Sequence, residues 1–199
     1  MATGPEFGKR FHALVLAAGS ATRFGGRKVL ADWNGAPLLH AALAAARAAP
    51  VAGITVVTGA DAVEVSASID AFDPAIGRIH AADHAEGMAA SLRAGVAALP
   101  SGIEAVFVFL GDMPRVPQAV LQGLADAVSA GAPASAPVFQ GRRGNPVVLA
   151  REVFGAISAL SGDVGARPIL QALGTRVALV ESPDDGVLFD VDTPGDLSG

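Results

Sequence analysis

The 199-residue chain contains no cysteine, which excludes disulfides, cysteine-ligated zinc and a thiol nucleophile. It also lacks a surplus of basic residues: 14 Lys and Arg stand against 19 Asp and Glu, for a net charge of −5. With no broad basic face implied, no nucleic-acid partner is expected. No apolar run approaches the roughly 20 residues that cross a bilayer. The Ala-rich stretch Ala41–Ala49 carries Arg47 and reads as a helix packed on a sheet. Residues 1–10 are polar and contain Gly and Pro, unlike a secretory leader; they are expected to be a tag or a disordered lead-in. A cytoplasmic protein without membrane contact is the expectation.

Two familiar nucleotide loops are missing as well. A Walker loop needs Gly-Lys followed by Ser or Thr, whereas Lys28 follows Arg27 and precedes Val29. Gly19, Gly25 and Gly26 do not have the G-x-G-x-x-G spacing of a dinucleotide fold. A kinase-type P-loop and a dehydrogenase are therefore disfavoured. No Ser/His/Asp arrangement has local support. Of the histidines, His12, His40, His80 and His84, only the last two have metal-like spacing, and that pair is read as incidental.

What is present suits one α/β domain over residues 11–199, with 51% apolar residues to build its core. Strands are expected at His12–Leu16, Ile54–Thr58, Ile76–His80, Ala105–Leu110, Ala134–Phe139, Pro146–Leu149, Arg176–Val180 and Val187–Phe189. Helices are expected at Leu38–Ala49, Ala62–Ala71 with Asp61 as N-cap, Gly87–Leu99, Pro117–Ala130 and Ala166–Leu173. This alternation predicts a three-layer, Rossmann-like fold: a mostly parallel twisted sheet flanked by helices. In such sheets ligands sit beyond the carboxyl ends of the strands.

The run Leu16–Lys28 leaves the first strand through small residues and delivers Arg23 and Lys28. Small residues let backbone N–H groups approach an anion, and two cations on one loop suit a polyphosphate. Asp112, in Gly111-Asp112-Met113-Pro114, follows the most apolar strand and is placed to hold magnesium; a local turn before Pro114 is the alternative. Asp190 and Asp192 alternate by two and face one side if the chain is extended. Thr193-Pro194 reads as a helix start with Thr193 as N-cap. With Asp112, Asp192 would complete a two-carboxylate magnesium site; helix-cap acidity is the alternative. Gly87 to Gly95 opens a helix with small residues, against which a base or ribose can lie; Ser91 is either a ligand contact or a mid-helix hydroxyl. Arg93 is read as structural. Gly141–Pro146 is a candidate cationic acceptor loop, and Gly162–Arg167 either places a helix N-terminus at an anion or is a capped turn.

These motifs, in this order, resemble the MobA-like nucleotidyltransferase family, within the nucleotide-diphospho-sugar transferase type of fold. Leu16–Gly19, Arg23-Phe24-Gly25 with Lys28, Gly111–Pro114 and Asp190–Leu197 carry the resemblance, which covers His12 to Leu197. Within the family the chain looks most like the molybdenum cofactor cytidylyltransferases. Ala18, Arg27, the short Arg23-to-Lys28 spacing, Ser91-Leu92-Arg93, Arg143–Pro146 and Gly162–Arg167 carry that likeness. Two positions depart from many relatives: Asn145 stands where His is usual, and Ala21 where Ser is usual.

The resemblance implies transfer of CMP from CTP to the terminal phosphate of molybdopterin, with Mg2+ as cofactor and pyrophosphate released. It implies Arg23, Lys28 and Asp112 as catalytic residues. Leu16, Ala17, Ala18, Gly19, Arg23, Lys28, Asp83, Gly87 and Ser91 would bind the nucleotide. Asp112 and Asp192, with Asp190 as alternate, would bind the metal, and Arg143, Asn145 and Asp163 the acceptor. A target molybdoenzyme or its chaperone is the implied partner. Two rivals stay open: a related nucleotidyltransferase using GTP or a sugar or other small phosphate, and a non-catalytic cofactor-maturation protein.

Overall fold

β1, Phe11–Ala17, is buried along its whole length. Because side chains alternate across a strand, its residues feed two different cores. The computed structural model describes residues 11–22 and 24–198. Phe11, Ala13, Val15 and Ala17 join one apolar cluster; Leu14 and Leu16 join the other. β6, Ala105–Leu110, divides the same way, with Phe107 and Phe109 on the first face and Val106 and Val108 on the second. A strand buried on both faces needs this continuous apolar run.

The remaining strands are β2 Asp32–Trp33, β3 Ala36–Pro37, β4 Ile54–Thr58, β5 Gly77–His80, β7 Ala134–Phe139, β8 Arg142–Arg143, β9 Val147–Ala150 and β10 Val177–Glu181. The main sheet runs β10-β7-β9-β6-β1-β4-β5, with β8 paired to β7; β2 and β3 form a separate hairpin. β5, β4, β1 and β6 are mutually parallel, as are β7 and β10. β9 runs antiparallel to both β6 and β7. Helices α1 Leu38–Ala48, α2 Ala62–Phe72 and α4 Ala119–Ser129 cover the first face. Helices α3 Met88–Ala97, α5 Phe154–Ile157 and α6 Arg167–Leu173 cover the second. This is the expected three-layer, mostly parallel α/β architecture. Among the described residues no helix is long and apolar enough to cross a membrane.

The local differences have physical causes. Val187–Phe189 is no strand; Asp185–Leu188 forms a 3-10 turn instead. The Asp184 carboxylate accepts from the Gly186 N–H at 2.8 Å and starts that turn. Asp61 makes no capping bond to α2; it lies 4.0 Å from Arg27. Within the expected loop Gly141–Pro146, Arg142 and Arg143 pair with β7 as β8. Thr193 is not an accepting cap either. Its N–H and hydroxyl both donate to Asp196, at 2.7 and 2.9 Å, and the Asp192 N–H joins them at 3.0 Å. Those bonds hold the Asp196 carboxyl below the usual range. The helix after it is a 3-10 turn, Pro194–Ser198.

Candidate active site

Strand order reverses at β1: the chain goes outward to β4 and β5, then returns to β6 on the other side. Such a switch point opens a crevice at the carboxyl ends of the strands. Gly111 bridges the two strands there, its N–H donating to the Leu16 carbonyl at 2.9 Å. The next residue, Asp112, thereby sits beside the loop that follows β1.

That loop is wound tightly. The N–H groups of Phe24, Gly25 and Gly26 all donate to the Ala21 carbonyl, at 3.0 to 3.1 Å. Gly25 and Gly26 have φ near +97° and +95°, and Ala21 and Arg27 are also left-handed. Arg27 is tied to α2 through Glu64 at 2.8 Å, a pairing the sequence did not announce. Arg23 lies outside the described residues, as do residues 1–10. Ala18 is 3% exposed and belongs to the second core. Its methyl faces Gly59, where an added Cβ would collide with the Ala18 carbonyl and side chain. Gly59 is thus required by close approach, a constraint visible only once β1 and β4 are paired.

Lys28 opens a 3-10 turn, Lys28–Leu30, and its side chain is only 14% exposed. Its ammonium donates to Asp112 at 2.6 Å and lies 3.6 Å from Asp192. The expected cation and both expected metal ligands therefore meet at one point. Asp192 is brought in by the chain after Val191, whose N–H donates to the Asp112 carbonyl at 3.0 Å. Partial burial, then the charges of Asp192 and Asp112, push the Asp190 carboxyl above the usual range, while Lys28 pulls the other way. Among the described residues no three His, Asp or Glu side chains form a metal-ligating group, so Asp190 does not complete a three-donor set with the other two. Two carboxylates already arranged about an ammonium do fit a divalent ion that draws its other oxygens from a triphosphate.

The expected base and ribose side lies at the start of α3. Asp83 precedes a 3-10 turn, His84–Glu86, which runs into Gly87. Gly87 has φ near +108°, and a Cβ there would come within 2.6 Å of Gly162. The Met88 and Ala89 N–H groups donate to the Asp163 carboxylate and the Gly162 carbonyl, at 3.2 and 3.1 Å. Asp163 is therefore itself the anion at this helix start, rather than preparing a helix end for a foreign one. Ser91 is 4% exposed, which favours the mid-helix hydroxyl over a ligand contact. Arg93 bonds Glu86 and the Leu160 carbonyl and is structural.

On the other half of the sheet, the Asn145 N–H donates to the Val187 carbonyl at 2.9 Å. The Arg143 guanidinium reaches the Leu170 carbonyl of α6. Alternation along β8 sends Arg142 the opposite way, to a cavity shared with Phe139, Gln140, Asp185, Leu188 and Phe189. Arg115 packs its guanidinium over the Phe189 ring at 4.8 Å and binds Asp185 at 3.2 Å. Arg115 directly follows Pro114, at the end of the Gly111–Pro114 run that carries Asp112.

A family model described as the MobA-like NTP transferase domain matches residues 13–177. The chain is similar to 2-C-methyl-D-erythritol 4-phosphate cytidylyltransferase of Streptomyces avermitilis, with 35% identity over 137 residues. That match takes in 66% of this chain and 55% of the relative, so the chain spans about half the length of that protein. The structure is similar to that of Rv0371c from Mycobacterium tuberculosis H37Rv, with a TM-score of 0.83, 28% identity and coverage of 96% of this chain and 97% of that one. A manganese complex of Rv0371c superposes with a TM-score of 0.78 at 26% identity, over the same 96% and 97%. With the switch-point crevice, the Gly-rich loop and the Lys28–Asp112–Asp192 cluster in place, the chain belongs to the MobA-like NTP transferase domain family.

Proposed function

We propose that the chain is a cytidylyltransferase that moves CMP from CTP to the terminal phosphate of a molybdopterin-type acceptor. An oxygen of the acceptor phosphate attacks the α-phosphorus, the bond to the β-phosphate bridging oxygen breaks, and pyrophosphate leaves. The observation that carries this reading is the meeting of Lys28, Asp112 and Asp192 beside the loop after β1. Phosphoryl-type transfer needs no covalent protein nucleophile; positioning and charge neutralisation are sufficient. A divalent ion held by Asp112 and Asp192, magnesium by expectation, would neutralise the triphosphate charge. Leu16 to Gly19 would line the phosphates with backbone, and Lys28 would turn from the carboxylates toward the leaving pyrophosphate. Arg23 is proposed to share that task, and Asp83 and Gly87 to border the base. Arg143, in β8, and Asn145, just after it, lie on the half of the sheet proposed to receive the acceptor.

The choice of cytidine is supported by the named activity of the Streptomyces relative. That same relative favours a second reading, in which the acceptor is a small polyol phosphate. The test is pyrophosphate release with CTP, GTP, ATP and UTP, each crossed with molybdopterin and methylerythritol phosphate. The expected result is CTP with molybdopterin. Transfer to the polyol phosphate alone would establish the second reading, and no release with any pair would overturn both. Asp112→Ala is expected to lose nearly all turnover while melting as a folded protein. Activity within a few-fold of the parent would remove Asp112 from the metal site.

A further inference from the structure

Lys28, Asp112 and Asp192 reach the site on three separate stretches of chain, and each stretch sends a second side chain to one place beside it. Trp33, in β2, follows Lys28 by five residues; Arg115 follows Asp112 by three; Phe189 precedes Asp192 by three. The Arg115 guanidinium lies 4.8 Å over the Phe189 ring. The Trp33 and Phe189 ring centroids are 6.0 Å apart, with the rings tilted by 45°. Arg115 also holds the chain before the ring, through Asp185 at 3.2 Å. The backbone fits closely under this grip. A Cβ on Gly186 would collide with the Arg115 carbonyl, and the Val191 N–H bonds the Asp112 carbonyl. Residues 189–193 belong to no strand or helix, so their course rests on isolated bonds and on side chains.

We propose that Phe189, gripped by Arg115 and braced by Trp33, is a positioning residue for the metal: it sets the direction in which the chain delivers Asp190 and Asp192 to Asp112. This rests on the metal reading of those carboxylates above. The ring contact, rather than the ion pair, supplies the grip. The Arg115 and Asp185 side chains are 43% and 57% exposed, and pairs so open to water contribute little. A guanidinium over an aromatic face is attracted by the ring and keeps its N–H groups free for a partner at the edge. An aliphatic side chain of similar bulk offers no such face. Without the grip, Val191 still ties the segment to Asp112, because it is itself buried. The residues on either side of it then sample more directions, and a divalent ion must order them as it binds. The expected defect is in metal affinity; a site saturated with metal works as before.

The test titrates the nucleotide-free protein with Mn2+ by calorimetry. Phe189→Leu and Arg115→Gln are each expected to weaken binding about two- to fivefold, the equilibrium factor of one exposed cation–ring contact. The double variant should lose no more than the larger single loss, since both changes break one contact. Phe189→Tyr keeps the ring and should bind as the parent does. In pyrophosphate release, the Leu and Gln variants should need proportionally more Mg2+ for half-maximal rate and reach the parental rate at saturation. A general loss of folding would not give that split. Arg115 is exposed, so its variant keeps the test decisive if Phe189→Leu folds poorly. Phe189→Tyr as weak as Phe189→Leu would overturn the proposal. Mn2+ binding insensitive to Asp112→Asn and Asp192→Asn would overturn the metal reading itself. Binding lost in those two variants but unchanged in Phe189→Leu and Arg115→Gln would overturn the positioning role alone.

Discussion

The Lys28 ammonium is directed at Asp112 and Asp192, the carboxylates that would hold the metal. A monovalent cation there competes with a divalent one. Lys28→Met is therefore expected to bind Mn2+ more tightly than the parent in the absence of nucleotide, read by calorimetry, while Arg27→Met, with the same loss of charge, binds it unchanged. The same variant should slow single-turnover transfer by about 10²–10³-fold, as loss of one donor to developing charge does elsewhere. A drop in CTP affinity with the single-turnover rate intact would mean that Lys28 only binds. Ala18 leads to a different expectation from its family resemblance. Its methyl is packed toward Gly59, so Ala18→Gly should lower the melting temperature and leave the CTP-to-GTP ratio nearly unchanged in a competition assay. Lys28, Asp112 and Asp192 were legible because each closes or follows a recognisable run. Their direct pairing, and the direction of the Ala18 methyl, depend on which strands become neighbours, and spacing along the chain does not encode that.

Helix α3 begins under a loop from far along the chain. Gly87 has a left-handed backbone that disfavours any side chain, and it touches Gly162. Gly87→Ala should lose about 1–3 kcal/mol through strain and displaced backbone, read as a lower urea midpoint. Asp163→Ala should lose about 1 kcal/mol as a helix cap. Because both act on the same contact, the double variant should lose less than the sum of the two. The strong strands, Ile54–Thr58, Ala105–Leu110 and Ala134–Phe139, were readable to the residue because β-branched and apolar runs end at turn residues. The stretch after Ser182 was not. A local hydrogen bond from Gly186 to Asp184 outweighs three apolar residues in a row, and Asp196 rather than Thr193 accepts the bonds at the final turn.

At the scale of the molecule, one buried histidine sets an acid limit. His12 lies in β1, its Nε2 2.9 Å from the Thr55 hydroxyl, and burial lowers its pKa below the ordinary value of 6.5. The unfolded chain takes up a proton near that pH while the folded chain does not. Stability should therefore fall as pH drops through about 6.5 and level off below the lowered folded value. Melting curves between pH 8 and 5 measure the slope, and a His12→Val, Thr55→Val pair should flatten it. The alternation of strands and helices made the three-layer plan legible; the reversal of β9 was not, since an apolar run has no direction. That reversal makes β9 a seam. On one side lie the parallel strands that present the Gly-rich loop after β1, and on the other β7, β8 and β10. The seam is a natural breakpoint for recombination. Exchanging residues 134–150 for the matching segment of a relative keeps Gly162 and Asp163 at the start of α3, and should re-address the molecule that receives the nucleotide while the donor half works as before.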